Sequence, residues 1–302
     1  MKRFLFLIGL LCGVMLQAQA AAPGSEYWHR DAALAAIGSI AIEQEAREVG
    51  DITTLADATS TLVRIHQLET RSDWPLPARE AAMYRFTRSL ASLPRDAVAV
   101  EVMQHLRAYQ ARVLVPHEDH PGAWVPLFNI RGAAQGVENA WIREAAASQA
   151  ALKLLDEPVA LVDLFVQAPG NVQRLGYLDA VEIASIAAVT EIQDVTLQRL
   201  ARQPELSPLL ASTAIITRDF TAMQSLLVNG RGAGLTTSFE RFASKLSADE
   251  VAGLLEFAVL EAPAPNAALA IAAWWPDLRH DDEAREIMLG LLADADLGSS
   301  AA

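Results

Sequence analysis

Apolar residues recur every three or four positions along most of the chain, which is the spacing of one face of an α-helix. In the first half this pattern predicts a helix over 30–48, another that begins at an N-cap at Asp51, and further helices over 78–93, 97–113 and 129–156. Residues 21–28 have no such pattern and are predicted to be a linker. Residues 114–127 hold three prolines and are predicted to be the longest irregular loop.

From residue 157 onward the periodic segments become shorter and follow one another closely. Glycine, proline or polar pairs separate them, and no segment shows the alternation of apolar and polar residues that is typical of a β-strand. The chain is therefore predicted to be all-α. The predicted helices of this half are 157–168, 177–189, 191–202, 205–216, 219–229, 236–246, 247–261, 266–274 and 281–293.

Many short helices joined by short turns fit two architectures. One is an α-solenoid-like stack of antiparallel helix pairs, and the other is an irregular helical bundle. Helix pairs return at a loose period of about 30 to 45 residues, which favours the stack. The domain boundaries stay open: 21–156 and 157–302 are the expected regions, with 29–302 as one continuous domain the alternative.

The N-terminus has the three parts of a secretory signal peptide. A basic start at 1–3 precedes an apolar run at 4–16, and small residues at 18–20 fit the requirement of signal peptidase. Cleavage before Ala21 therefore predicts an exported protein, periplasmic or secreted. No later stretch reaches the roughly 18 to 20 apolar residues of a spanning helix, so the mature chain is expected to be soluble.

The single cysteine, Cys12, raises the alternative of a bacterial lipoprotein. A lipoprotein signal has a small residue directly before its cysteine, where this chain has Leu11. Cleavage near Ala20 is therefore preferred over lipidation. It would leave a mature chain without cysteine, which excludes a disulfide, a thiol nucleophile and a Cys-ligated zinc.

Charge narrows the range of partners. The chain has 24 Lys and Arg against 37 Asp and Glu and a net charge of -13. An acidic surface argues against nucleic acid, anionic lipid or other polyanions as partners. Cationic partners, neutral ligands and proteins remain open.

The last segment, DDEAREIMLGLLADADLGSSAA at 281–302, resembles the HEAT-type α-helical repeat family. In that family an amphipathic helix ends in L-x-D-x-D and the next helix opens with small residues. Leu292, Asp294, Asp296, Ala301 and Ala302 occupy those places, and an aspartate there can cap the second helix. Ser299–Ser300 replaces the usual valine and arginine. The resemblance implies an architecture over about 157–302 and no reaction, since the family shares none.

One group of residues could hold a metal ion. His117, Glu118, Asp119 and His120 lie together between two prolines, and with a ligand from elsewhere they could bind zinc. The spacing differs from the H-E-x-x-H motif, in which both histidines share one helix face. The alternative interpretation is a solvated polar loop.

Four tryptophans are candidate partner-binding residues: Trp124, Trp141, Trp274 and Trp275. The first two follow the histidine loop and could wall a groove, although hydrophobic anchoring of that loop explains them as well. The pair before Pro276 could anchor a partner peptide or plug a helix end.

The sequence thus predicts an exported helical scaffold that binds a protein or peptide, with no catalytic residues and no cofactor evident. The alternative is a metal-dependent hydrolase that uses the loop from His117 to His120 with zinc as its cofactor.

Overall fold

The computed structural model describes residues 22–38, 40–55, 58–278 and 282–291. These residues form two compact units that divide between Glu138 and Asn139. The elements that begin in the first unit are β1 (Glu26–Tyr27), α1 (Arg30–Ile37), α2 (Ile42–Leu55), α3 (Ala58–Thr70), α4 (Leu76–Ser89), α5 (Ala97–Ala108), β2 (Val113–Pro116), β3 (Trp124–Pro126) and α6 (Ile130–Asp156).

Helix α4 is the centre of the first unit. It contacts α1, α2, α3 and β2. Its inner face is buried, with Met83 and Phe86 each only 1% exposed, whereas Arg85 and Arg88 lie on an exposed face. Pro77 is tolerated in its first turn, where a missing N–H costs little.

A three-stranded sheet lies at 26–27 and 113–126, where a linker and an irregular loop were predicted. Strand β2 is central, with β1 parallel to it through the pair Tyr27–Leu114 and β3 antiparallel to it through Val115–Val125. The prediction of a wholly irregular loop is wrong because a buried central strand reads as a continuous apolar run without alternation.

A buried glutamate attaches α4 to this sheet. The Glu80 side chain is inaccessible to solvent, and its carboxylate accepts hydrogen bonds from the backbone N–H of Arg112 at 2.6 Å, that of Val113 at 3.2 Å and the Tyr109 hydroxyl at 3.0 Å. Burial raises the pKa of Glu80 above its ordinary value, although these hydrogen bonds act against the rise.

The second unit contains the rest of α6 and a series of shorter helices. They are α7 (Ala160–Gln167), α8 (Asn171–Glu182), α9 (Ile186–Arg199), α10 (Ser207–Thr217), α11 (Phe220–Asn229), α12 (Leu235–Ala243), α13 (Ala248–Glu261), α14 (Ala264–Leu278) and α15 (Asp282–Leu291).

Alternate helices of this unit contact one another and so make two layers. Helices α7, α9, α11, α13 and α15 follow one another in the first layer, and α8, α10, α12 and α14 in the second. Contacts between consecutive helices, above all α9 with α10 and α13 with α14, join the layers. The prediction of an all-α, α-solenoid-like stack of helix pairs is confirmed.

Buried polar side chains hold the turns of the stack. The Asn266 amide, only 5% exposed, donates to the carbonyls of Leu227 at 2.8 Å and Gly230 at 3.2 Å. The Gln193 amide donates to Asp219 at 2.6 Å, and Asp219 caps α11. These contacts pair polar groups that would be costly to bury alone.

Several helix boundaries differ from the predicted ones. The helix predicted over 30–48 breaks at Gly38, whose φ of 52° favours glycine, and Gly50 lies inside α2. Helix α8 begins at Asn171 rather than 177. Helix α14 continues past Pro276, because the buried Leu278, 2% exposed, packs its last turn into the core.

The division between the two units falls inside α6, between Glu138 and Asn139. The regions expected from the sequence, 21–156 and 157–302, meet at the end of this helix rather than inside it. A continuous helix gives no sign in its sequence of which turns pack with which unit. In the repeat resemblance, Leu292, Asp294, Asp296, Ala301 and Ala302 lie outside the described residues.

Candidate binding groove

A groove of about 220 Å³ crosses the second layer of the helix stack. Helices α8, α10 and α12 form it, and α6 adds one side chain at its edge. The apolar lining residues are Leu175, Leu178, Pro208, Ala211 and Ile215, and the polar ones are Arg143, Asp179, Glu182, Ser212, Ser238 and Arg241.

Helical spacing brings these residues to one surface. On α10 the lining positions 208, 211, 212 and 215 share one face, and on α8 so do 175, 178, 179 and 182. The floor is low because α10 contributes the small residues Ala211 and Ser212, while its neighbours contribute longer side chains. Leu175 stands at the wall and is 45% exposed.

Two ion pairs border the groove. Arg143 donates from Nη2 to the Asp179 carboxylate at 2.6 Å, and this contact raises the pKa of Arg143. Arg241 on α12 donates to Glu182 on α8 at 2.9 Å. These two helices flank α10, so the second pair spans the groove. Both members are about half exposed, 56% and 48%, which leaves them accessible to a ligand.

A close helix contact supports the α8 wall. A Cβ built on Gly176 would strike the carbonyl oxygen of Arg143 and would lie 2.8 Å from the Cβ of Ala146. Only glycine therefore permits this approach of α6 and α8, on which the contact between Arg143 and Asp179 depends.

The predicted metal ligands lie in the turn between β2 and β3. The rings of His117 and His120 are 4.6 Å apart, and Nδ1 of His117 accepts a hydrogen bond from the Asp119 backbone at 3.0 Å. Glu118 points to Arg30, with which it forms an ion pair at 3.1 Å. No group of three or more candidate metal ligands occurs within the described residues. The zinc site stays a prediction.

The four tryptophans occupy different environments. Trp124 is 45% exposed and packs edge-on against Tyr27 at 4.8 Å, whereas Trp141 is 4% exposed. Trp274 is 1% exposed, donates to the carbonyl of Phe239 and plugs the core, and Trp275 is half-buried beside it. None of them lines the groove.

The residues that form the groove were not predicted from the sequence, because none of them belongs to a local motif. Leu175 and Ile215 look like ordinary positions of amphipathic helices, and Arg241 like a surface charge. The one available signal was the pair of small residues Ala211 and Ser212. It indicates a groove only when one also knows that α10 lies between α8 and α12, whose longer side chains rise on either side.

Across the described ranges, no helix combines the length and the apolar character that crossing a membrane would require. The chain matches no protein-family model, no curated protein and no solved structure.

Proposed function

We propose that this chain is an exported helical scaffold that binds a segment of a partner protein in the groove of α8, α10 and α12. The segment would present an apolar anchor side chain next to lysine or arginine. The supporting observation is an apolar floor built by three helices of one layer and bordered, on α8, by the accessible carboxylates of Asp179 and Glu182.

The size of the groove favours a peptide over a small molecule. Sites that enclose drug-sized ligands measure about 300–1,000 Å³. At about 220 Å³ this groove is smaller, but it has room for an anchor side chain while the rest of the partner lies across the layer. Helical stacks commonly offer such extended surfaces.

Charge determines the character of the segment. Residues 139–302 contain 22 Asp and Glu but only 11 Lys and Arg. This excess attracts basic segments over a long range. At the groove itself, Arg241 contacts the Glu182 carboxylate through one oxygen, so Glu182 can share its other oxygen with an incoming basic side chain, whereas both oxygens of Asp179 accept from Arg143.

The test is fluorescence anisotropy with two short labelled peptides that share their leucines and alanines and differ only in having lysine or glutamate between them. The lysine peptide should bind saturably and the glutamate peptide should not. The substitution Leu175→Gln in the groove wall should weaken binding of the lysine peptide about tenfold. This is the loss of affinity expected when about 1.4 kcal/mol of apolar contact is removed.

The matched control is Leu260→Gln, which changes an exposed leucine on α13 in the other layer and should bind as the wild type does. Glu182→Gln should also weaken binding of the lysine peptide relative to the wild type, without affecting the fold. Equal binding of both peptides, or equal loss in both leucine variants, would overturn the proposal.

A further inference from the structure

The first unit contains a second, larger opening, a cleft of about 480 Å³ between α2 and α3. Its polar lining consists of two arginines, two glutamates and two glutamines, Arg64, Arg71, Glu45, Glu48, Gln44 and Gln67, and Trp74 supplies an aromatic wall. It shares no residue with the groove of the second unit.

Both guanidinium groups of the cleft are fixed by one buried carboxylate. The side chain of Glu45 is only 8% exposed; it forms an ion pair with Arg64 at 2.7 Å and accepts a hydrogen bond from Nη1 of Arg71 at 2.9 Å. The guanidinium of Arg71 also lies over the Trp74 ring, 4.2 Å from its centre. A buried acid and a cation–π contact thus orient the two cations before any ligand arrives.

Donor groups remain available at this pair. Among the described residues, Arg64 forms its contacts through Nη2 alone, and Arg71 through Nε and Nη1. The other guanidinium N–H groups and the exposed Gln67 amide have no hydrogen-bond acceptor there. The cleft therefore offers donors, which suit a ligand rich in acceptor oxygens.

The charge of the inner cluster indicates which ligand fits. Two guanidinium groups and the buried Glu45 carboxylate leave one positive charge, but the exposed Glu48 and Asp73 pair with Arg64 at 3.5 Å and with Arg71 at 3.1 Å and bring the five side chains to one negative charge. A ligand carboxylate therefore binds by taking the place of one of these exposed acids beside a guanidinium group. A phosphate monoester would bring up to two negative charges close to Glu48 and Asp73. These two acids are 47% and 67% exposed, so solvent screens their repulsion of one carboxylate better than of a dianion.

We propose that this cleft binds the carboxylate of a small organic acid, with the guanidinium groups of Arg64 and Arg71 as its donors. Trp74 and the buried Leu68 give the remainder of the ligand an apolar wall, so an acid with an apolar or aromatic group fits best. A free acid and the C-terminus of a peptide share this chemistry.

Isothermal titration calorimetry of the full chain separates these sources. The probes are N-acetyl-phenylalanine, its uncharged amide, phenyl phosphate, and an acetylated peptide that ends in phenylalanine. One equivalent of the free acid should bind, with a Kd below about 1 mM. The amide and phenyl phosphate should bind at least about tenfold more weakly. Tighter binding of the peptide than of the amino acid would identify a C-terminus as the ligand.

The variants test the assigned donors. Arg64→Gln should weaken binding of the free acid at least about tenfold. Arg64→Lys should keep part of the wild-type affinity, since lysine keeps the charge but lacks the planar guanidinium group. Arg85→Gln is the control, because Arg85 forms an exposed ion pair with Glu43 outside the cleft. Glu48→Gln should tighten binding by removing a repelling charge.

A structural role alone would not move affinity in opposite directions in the Arg64 and Glu48 variants. Equal binding of acid and amide, or unchanged affinity in Arg64→Gln with an unchanged melting curve, would overturn the proposal.

Discussion

The replacement Gly176→Ala tests the packing that supports the binding groove. The added Cβ would strike the Arg143 carbonyl oxygen, and it would lie 2.8 Å from the Ala146 Cβ and 3.0 Å from the Ala147 nitrogen. None of these atoms is the end of a flexible side chain, so α8 must move away from α6. Overpacking of this kind costs about 1–3 kcal/mol.

Helix propensity acts in the opposite direction. Alanine is favoured over glycine inside a helix by about 1 kcal/mol. Because the overlap involves backbone atoms, the upper part of the overpacking range applies, about 2–3 kcal/mol. The net expected loss of unfolding free energy is therefore about 1–2 kcal/mol, which lowers the melting temperature of a unit of this size by about 2–8 °C. Displacement of α8 should also lengthen the contact between Arg143 and Asp179.

Differential scanning calorimetry is the assay, with Gly253→Ala as the matched control. Gly253 lies inside α13 of the same unit, and a Cβ there would meet nothing within 4 Å. This control should raise the melting temperature, because alanine favours the helix over glycine and its Cβ meets no neighbour. The transition that shifts in the control is the unfolding of the second unit. A Gly176→Ala protein as stable as the wild type would refute the close approach of the helices.

Three further predictions concern buried or capping polar groups. Asn266→Ala should lower the unfolding free energy by about 1–3 kcal/mol, because two buried carbonyls lose their donor; urea denaturation measures this. Burial raises the folded-state pKa of Glu80, so its contribution to stability is complete below the unfolded pKa and is lost as pH rises through the folded pKa. Glu80→Gln should remove that fall, measured as melting temperature against pH. The Ser247 N–H and hydroxyl lower the pKa of Glu250 in the cap of α13, so this contribution is present above the unfolded pKa and lost as pH falls. Glu250→Gln should flatten the acid side of the same profile.

Helical periodicity predicted the class of fold correctly, because the spacing of apolar residues identifies a helix even where the predicted ends of that helix are wrong. Some helix boundaries predicted at glycine and proline were wrong, since each of these residues also occurs inside helices. Gly176 looks like a reason to begin α8 later, but its missing side chain serves a contact between helices. Pro276 looks like a stop, but tertiary packing of Leu278 keeps the helix intact. Such roles depend on neighbours distant in the sequence.

Candidate sites were harder to predict than the fold. His117 to His120 form a dense cluster in the sequence, whereas the groove and the cleft are assembled from residues far apart in sequence. Glu182 and Arg241 are paired across α10, and Glu45 on α2 is paired with Arg71, which directly follows α3. Neither pair has a local motif, so only the order of packing brings them together.

The groove and the cleft differ in how their charges are held, and this difference predicts different kinds of ligand. In the groove, Glu182 and Arg241 are both accessible, so a partner can exchange one contact for another at little desolvation cost. In the cleft, Glu45 is buried and its loss would leave Arg64 and Arg71 without the group that orients them. An adaptable surface suits a protein segment whose sequence can vary, whereas a preorganised pair of donors suits one small ligand group of defined geometry.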